Sequence, residues 1–238
     1  IIKPIDSFSG KGITILDKNF KREDLNNAIQ IAEQNSNSKK YVIEEFIEGQ
    51  LYSFSCFIEN EKIKNYFIVE EYSKVNRFSV DISYLVNDLN EKISQSIISQ
   101  IERVSSLIKL KDGLLHLQFI LKGDIPYFIE ITRRCPGDLY SLLIEKSSAF
   151  PYSSSYVNYL MKLDSCQFIK ETHNPYLRVS NFLDKAERVD YTFKSVEEVI
   201  YFRHNNYVVK NKKERVSVSF LKFNSKEFLL KNIHNNEN

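Results

Sequence analysis

The chain has 238 residues, of which 42% are hydrophobic and 27% are charged, a composition typical of globular proteins. Its 33 basic and 31 acidic residues give a net charge of +2, which does not favour binding to nucleic acid or to an anionic membrane. No apolar run reaches membrane length and no signal peptide is found, so a membrane location is not expected. The three cysteines, Cys56, Cys135 and Cys166, are far apart, and we expect reduced thiols in a cytoplasmic protein.

The chain opens on Ile1–Ile5, which has the pattern of a strand end and leads us to expect further sequence upstream. A loop rich in serine and glycine, Asp6–Gly12, separates it from a second predicted strand, Ile13–Leu16. The backbone N–H groups of such a loop can form an anion-binding nest, and Lys3 and Lys11 add positive charge. Taken alone, the loop favours a plain hairpin, because Gly-Lys-Gly turns are common.

An amphipathic helix capped by Asp24 follows, and the polar run Asn35–Lys40 ends it. The next segment, Tyr41–Gly49, reads as a buried strand that leads into a charged turn. One interpretation is a strand end with solvated glutamates. The other is a hinge whose backbone hydrogen-bonds the edge of an adenine, which composition cannot detect because no particular side chain is required.

Leu51–Ile58 and Lys62–Val69 alternate as the two strands of a hairpin. Tyr72–Asp88 has no clear period and is predicted to be a loop, whereas Leu89–Leu110 is predicted to be a long amphipathic helix. The apolar stripe of this helix is assigned to the core and comprises Ile93, Ile97, Ile101, Val104 and Ile108.

The stretch Gly113–Asp138 carries the strongest functional signal. It predicts two strands joined by a tight Gly-Asp turn, with Gln118 on the first strand. On the second, Glu130, Thr132 and Arg134 occupy alternate positions, and side chains two residues apart on a strand point to the same face. An amide oxygen, a carboxylate and a hydroxyl beside a guanidinium suit a hard divalent cation that carries phosphates.

Helices are predicted over Asp138–Ser148 and Tyr152–Leu163, and Asp138 is equally suited to capping the first helix or to contacting a substrate. Beyond Cys166 the pattern changes to short strands separated by polar turns. These strands are predicted over Tyr176–Phe182, Val199–Phe202, Tyr207–Val209 and Val216–Phe223. The basic run Lys210–Arg215 favours a solvated hairpin tip over a contact patch.

Three blocks, taken in order, resemble the ATP-grasp superfamily. Ile1–Ile13 is similar to the family's phosphate-binding lysine and glycine-rich lid loop, Tyr41–Gly49 to its adenine-binding hinge, and His116–Arg134 to its metal-binding hairpin. The resemblance covers about residues 1–165, and among known members it points to L-amino acid ligases, biotin carboxylase and the carbamoyl phosphate synthetase large chain.

The resemblance implies an α+β ATP-grasp fold with a partial lid subdomain (1–46), an antiparallel-sheet core subdomain with flanking helices (47–165) and a small β-rich tail (166–238). It implies ATP and Mg²⁺ or Mn²⁺ as cofactors. The activity implied is a ligase that activates a carboxylate as an acylphosphate for attack by an amine, with an amino acid or small peptide as the favoured substrate. The partners implied are small-molecule carboxylates and amines and an N-terminal domain of the same protein, and a homodimer is left open.

The resemblance also implies a role for individual residues. Lys3 would hold the α- and β-phosphates, and Arg134 would lie at the transferred phosphoryl group. The lid loop over the phosphates would contain Ser7, Ser9, Gly10, Lys11 and Gly12. Glu44 would approach the adenine amino group, and the hinge backbone that meets the adenine would run through Glu45, Phe46 and Ile47. The metal ligands would be Gln118, Glu130 and Thr132.

Three positions depart from the family pattern. Gln118 stands where an acidic residue is common, Thr132 replaces a usual asparagine, and Leu51 replaces a ribose-binding glutamate. These departures favour a first alternative, a nucleotide-binding module that has lost catalysis. The second alternative is an α+β interaction domain in which Glu130 forms a salt bridge with an arginine.

Overall fold

The structure is a computed structural model that describes residues 1–163, 174–190 and 198–225. The chain divides into two compact units. Unit 1 comprises Ile1–Glu48 and Ser73–Val80, and unit 2 comprises Gly49–Tyr72 and the chain from Asp81 onward. Unit 1 is therefore assembled from two separate stretches of sequence, and the three-part division predicted above stays a prediction.

Unit 1 contains a two-stranded antiparallel sheet, β1 (Ile2–Pro4) and β2 (Tyr41–Ile43), and the helix α1 (Arg22–Gln34). Its small core is formed by Ile2 of β1 and by Ala28 and Ala32 of α1. The two alanines lie four residues apart on one face of the helix, so α1 can approach the sheet closely.

Three predictions for unit 1 need correction. The predicted strand Ile13–Leu16 is reduced to a single bridge between Thr14 and Ile2. Helix α1 begins at Arg22, so Asp24 is its third residue, and its carboxylate accepts a hydrogen bond from the backbone N–H of Lys21 at 2.8 Å. The segment Tyr41–Gly49 is a strand only over its first three residues, and two of these are exposed rather than buried.

The described residues of unit 2 form one antiparallel sheet with the strand order β7-β6-β3-β4-β5-β8-β10-β9. The strands are β3 (Gln50–Glu59), β4 (Lys62–Tyr72), β5 (Ile82–Val86), β6 (Gly113–Lys122), β7 (Ile125–Thr132), β8 (Tyr176–Leu183), β9 (Glu198–Tyr201) and β10 (Glu214–Lys222). The helices are α2 (Glu91–Leu107), α3 (Tyr140–Ser148) and α4 (Tyr152–Met161). This arrangement confirms the predicted α+β class.

The helices cover opposite faces of the sheet. Helix α2 buries Ile93, Ile97 and Ile101 in one apolar cluster with residues of β3, β4 and β6. Helices α3 and α4 pack on the other face in a second cluster that is rich in aromatic side chains. The predicted stripe of α2 is wrong for its C-terminal end, because Val104 and Ile108 are exposed. The buried apolar side chains of α2 therefore come from its first three turns.

The region predicted to be a loop, Tyr72–Asp88, contains strand β5, which pairs with β4 on one side and β8 on the other. Helix α3 begins two residues later than predicted, because Asp138 and Leu139 both have φ near +60° and cannot be part of the helix.

The C-terminal strands β8, β9 and β10 continue the sheet of unit 2. The predicted strand Tyr207–Val209 is present only as a bridge between Val208 and Arg188. Cys166 lies outside the described residues. Among the described residues, no helix has the length and the hydropathy needed to cross a membrane.

Replacing Ile97 with alanine is expected to destabilise the protein by about 2–5 kcal/mol, because this side chain is fully buried and its removal leaves a cavity. Leu107→Ala, at an exposed position of the same helix, is the matched control and is expected to change stability by less than about 0.5 kcal/mol. Urea unfolding followed by circular dichroism measures both. Equal losses in the two variants would contradict the packing face assigned to α2.

Candidate functional site

The β6–β7 hairpin places the three predicted metal ligands on one face, and two of them, Gln118 and Glu130, are direct partners across the hairpin. In its register Gln118 lies directly opposite Glu130, and His116 lies directly opposite Thr132. Residues that are directly opposite in an antiparallel pair have side chains on the same face, with Cβ atoms about 5 Å apart. The amide, the carboxylate and the hydroxyl therefore share one face at the edge of the sheet.

Glu71 on β4 is a functional candidate that the sequence reasoning missed. It is only 4% exposed, and its Oε2 accepts a hydrogen bond from Gln118 Nε2 at 2.8 Å. Burial raises the pKa of the Glu71 carboxyl, whereas hydrogen bonds from Ser53 and Gln118 and the charge of Arg178 act in the opposite direction. The sequence signal for Glu71 was its place as the second of two glutamates, Glu70 and Glu71, at the end of an apolar strand. The same pattern occurs at ordinary strand ends.

Glu130 is exposed, and among the described residues it forms no ion pair. The salt bridge required by the interaction-domain alternative is therefore not observed there. Thr132 is half-buried, and its Oγ1 accepts a hydrogen bond from the backbone N–H of Arg134 at 3.4 Å. Within the described ranges no three His, Cys, Asp or Glu side chains are grouped for a metal. One carboxylate with an amide and a hydroxyl still fits Mg²⁺, which keeps several waters and takes its other ligands from phosphates.

Arg134 lies beyond the end of β7 at Thr132, so the predicted alternation stops before it. Its side chain is exposed, and Nη1 donates a hydrogen bond to its neighbour's carbonyl, Cys135 O, at 3.2 Å. The adjacent Arg133 instead has a structural role. Its Nη2 donates to the carbonyl oxygens of Lys111 and Asp112 at 2.8 and 3.0 Å, which links the end of β7 to the start of β6.

Asp138 is held by the C-terminal strands and does not cap α3, whose N-cap residue is Leu139. The Asp138 carboxylate forms an ion pair with Arg215 on β10. Its carbonyl oxygen accepts a hydrogen bond from Nη1 of the buried Arg178 on β8 at 3.1 Å, and Arg178 Nε donates to Ser83 at 2.8 Å. Strands β8 and β10 therefore fix the segment that follows β7.

His116 is a buried neighbour of the hairpin site. Its Nδ1 lies 2.7 Å from the hydroxyl of Ser55, and Ser55 Oγ lies 3.1 Å from the hydroxyl of Tyr152 on α4. Burial lowers the pKa of His116 to about 4, so the imidazole is neutral near pH 7. This polar network anchors α4 to the sheet beneath the site.

In unit 1, two predicted nucleotide-binding residues contact each other. Lys3 on β1 forms an ion pair with the carboxylate of Glu44, which directly follows β2. After Glu44 the hinge backbone forms no hydrogen bond with any described residue at Glu45, Phe46 or Ile47, so its polar groups are available to a ligand. Phe46 is half-buried, and the guanidinium carbon of Arg77 lies 4.9 Å from the centroid of its ring.

The glycine loop, Ser7–Gly12, follows β1. Ser9, Gly10 and Gly12 have φ of 52°, 74° and 78°, and among the described residues their backbone N–H groups have no hydrogen-bond partner. The N–H of Lys11, between Gly10 and Gly12, donates to the carbonyl of Phe8 at 3.2 Å, so the adjacent pair is Ser9 and Gly10. Two adjacent N–H groups left in this way can bind an anion. Lys11 lies in the loop, with its Nζ 4.4 Å from the ring centroid of Phe8.

Residues 1–141 match the family model of the ATP-grasp domain. The fold is similar to the crystal structure of an L-amino acid ligase from Bacillus licheniformis, with 15% identity and a TM-score of 0.71 over 90% of this chain and 59% of that chain. It is similar to that of biotin carboxylase from Campylobacter jejuni, with 11% identity and a TM-score of 0.68 over 98% of this chain and 55% of that chain. It is also similar to the biotin carboxylase domain of the 2-oxoglutarate carboxylase from Hydrogenobacter thermophilus, with 11% identity and a TM-score of 0.70 over 98% of this chain and 55% of that chain. These matches confirm the predicted fold. The chain spans less than two thirds of the length of each of these proteins, and a search of curated protein sequences finds no match.

Gly10→Ala is expected to displace the glycine loop from the segment Ser73–Val80. The residue has φ +74°, and an added Cβ would lie 2.3 Å from the Cβ of Phe78. Gly123→Ala is the matched control, because φ there is +60° but no atom lies within 4 Å, so only conformational strain of about 1–2 kcal/mol applies. Hydrogen exchange measured by mass spectrometry should be faster in peptides covering the loop and residues 73–80 for Gly10→Ala only. Unchanged exchange in both peptides would contradict this contact.

Proposed function

Because the chain belongs to the ATP-grasp family, we propose that the full-length protein is an ATP-dependent ligase that joins a carboxylate to an amine. The observation that carries the proposal is the direct pairing of Gln118 with Glu130 on one face of the hairpin. An amide oxygen beside an exposed carboxylate provides two hard oxygen ligands at the position where the family resemblance requires them.

In the proposed reaction a carboxylate oxygen of the substrate attacks the γ-phosphorus of ATP, and ADP leaves. The amine then attacks the carbonyl carbon of the acylphosphate, and inorganic phosphate leaves. Phosphoryl transfer depends on positioning and on charge neutralisation more than on an acid–base pair. Arg134, exposed directly after the hairpin, is the proposed cation at the transferred phosphoryl group.

The nucleotide would be held by residues of unit 1. Lys3 and the unpaired N–H groups of the glycine loop would bind phosphate oxygens, and the free backbone at Glu45–Ile47 would bind the adenine edge. Gln118 and Glu130 would hold Mg²⁺, which would neutralise phosphate charge. Among the similar structures, the biotin carboxylase is described as a β-γ-ATP complex and the Hydrogenobacter carboxylase domain as a complex with magnesium ADP and bicarbonate.

For the substrate we propose an amino acid or a small peptide. The segment Arg134–Asp138 resembles the corresponding segment of amino-acid ligases, and the fold is similar to that of an L-amino acid ligase. The remaining partners we propose are an N-terminal domain of the same protein and a second copy of the chain. The proposed location is the cytoplasm, where Cys56 and Cys135 remain free thiols.

A nucleotide-binding module without catalysis is the second candidate. It is favoured by Leu51, which replaces the family's ribose-binding glutamate and lies on β3 directly opposite Glu71. In that case MgATP would bind but phosphate would not be released with any carboxylate and amine.

MgATP is expected to raise the thermal stability of the full-length protein, by about 2.7 kcal/mol at a ligand concentration 100 times Kd. Glu130→Gln is expected to lose most of the magnesium-dependent part of this gain, because it removes the one carboxylate among the three proposed ligands. Differential scanning fluorimetry with ATP, with and without MgCl₂, measures both effects. Asp124→Asn, an exposed acid in the turn of the same hairpin, should behave like the wild type. A wild-type protein that does not respond to MgATP would overturn the proposal.

Arg134→Ala is expected to lower phosphate release with an amino-acid panel by about 10³-fold or more while MgATP binding is retained, because an arginine at the transferred phosphoryl group acts mainly in the transition state. Arg103→Ala, an exposed arginine on α2, is the control and should retain full activity. A loss of MgATP binding equal to the loss of turnover would contradict the role assigned to Arg134. Absence of turnover in the wild type, with MgATP bound, would favour the module without catalysis.

A further inference from the structure

The side chain of Glu71 reaches across a whole strand to contact Gln118. Glu71 is on β4 and Gln118 is on β6, and β3 lies between them in the sheet. Neighbouring strands are about 4.8 Å apart, so the two backbones are separated by about 10 Å and the two side chains meet over β3. Their contact is the 2.8 Å hydrogen bond from Gln118 Nε2 to Glu71 Oε2.

This contact determines which end of the Gln118 amide is available to a ligand. In the structure the NH₂ group of Gln118 faces Glu71, as expected for a donor to an ionised carboxylate, which only accepts hydrogen bonds. The amide group is planar, so its oxygen points away from Glu71. In the strand order Gln118 lies between Glu71 on one side and Glu130 on the other, so the acceptor oxygen is left for the side of the sheet that carries Glu130.

Burial of the Glu71 carboxylate costs free energy of folding, which favours a functional role for this residue. Burial raises the pKa of the Glu71 carboxyl, and the hydrogen bond from Gln118 and the charge of Arg178 act against this and favour the ionised form. An amide ligand is neutral and holds a divalent cation less strongly than a carboxylate does. A negative charge directly behind the amide polarises its carbonyl oxygen and compensates for part of this difference.

We propose that Glu71 is a positioning residue for the metal site: it fixes the Gln118 amide with its oxygen towards the ion and supplies the negative charge that Gln118 lacks. The inference rests on the proposed function, since it concerns the same metal. It adds a residue that does not itself touch the ion. Removal of comparable outer partners in metal sites lowers metal affinity about 10- to 100-fold.

The test is a double-mutant cycle on the full-length protein, with Glu71→Gln, Gln118→Glu and the combined variant. The readout is the MgCl₂ concentration that gives half of the thermal stabilisation at a fixed ATP concentration. Glu71→Gln is expected to raise this midpoint about tenfold or more, because the outer charge is lost. Gln118→Glu alone places two carboxylates in contact and should also impair binding. The combined variant exchanges the two groups, keeps the hydrogen bond and the charge, and should restore the midpoint.

A purely structural role for Glu71 would lower the unfolding temperature without ligand and leave the magnesium midpoint unchanged. Ser83→Ala is the control for that behaviour, because Ser83 is buried directly opposite Glu71 on β5 but contacts Arg178 rather than Gln118. An unchanged midpoint in Glu71→Gln, or a combined variant no better than the single variants, would overturn this inference while leaving the proposed function intact. A wild-type protein without any response to MgATP would overturn the proposed function, and the inference with it.

Discussion

The candidate site depends on one irregularity in the register of the β6–β7 hairpin. Gln118 pairs with Glu130, but the next residue, Phe119, pairs with Phe128, so Ile129 is an extra residue on β7. Without this bulge, residues 128 and 130 would point to the same face, because side chains alternate along a strand. Phe128 packs against the apolar cluster under α2, whereas Glu130 is exposed beside Gln118. The bulge thus lets one short strand contribute a ring to the core and a carboxylate to the site.

The polar groups on the sheet face that packs against α3 and α4, which is also the face of Gln118 and Glu130, support the same site. Glu71 holds Gln118, and Arg178 on β8 holds the carbonyl of Asp138 while Arg215 on β10 pairs with its carboxylate. These contacts join the C-terminal strands to the segment that carries Arg134. The C-terminal strands, which extend the sheet of unit 2, therefore hold the segment that follows β7.

The sequence was informative where structure is local. Alternation and helical period predicted the two long hairpins and helices α1 to α4, and the predicted turn of the β6–β7 hairpin placed Gln118 beside Glu130. Strand β5 was missed because both of its faces contact other elements, which removes the alternation. Unit 1 could not be delimited because Ser73–Val80 joins it through contacts that are remote in sequence. Glu71 was missed for the same reason, since its partner Gln118 is 47 residues away.

The ion pair between Lys3 and Glu44 must be considered in any account of nucleotide binding by unit 1. Both residues are expected to contact ATP, yet in the structure they contact each other, with side chains 21% and 48% exposed. An ion pair of this exposure contributes only about 0–1 kcal/mol, because water screens it and ordering two long side chains opposes it. A phosphate group is, like the carboxylate, a charge-assisted partner for Lys3. Because the ion pair is weak, exchange of the carboxylate for a phosphate oxygen would cost little, and it would free Glu44 for the adenine amino group that the family resemblance assigns to it.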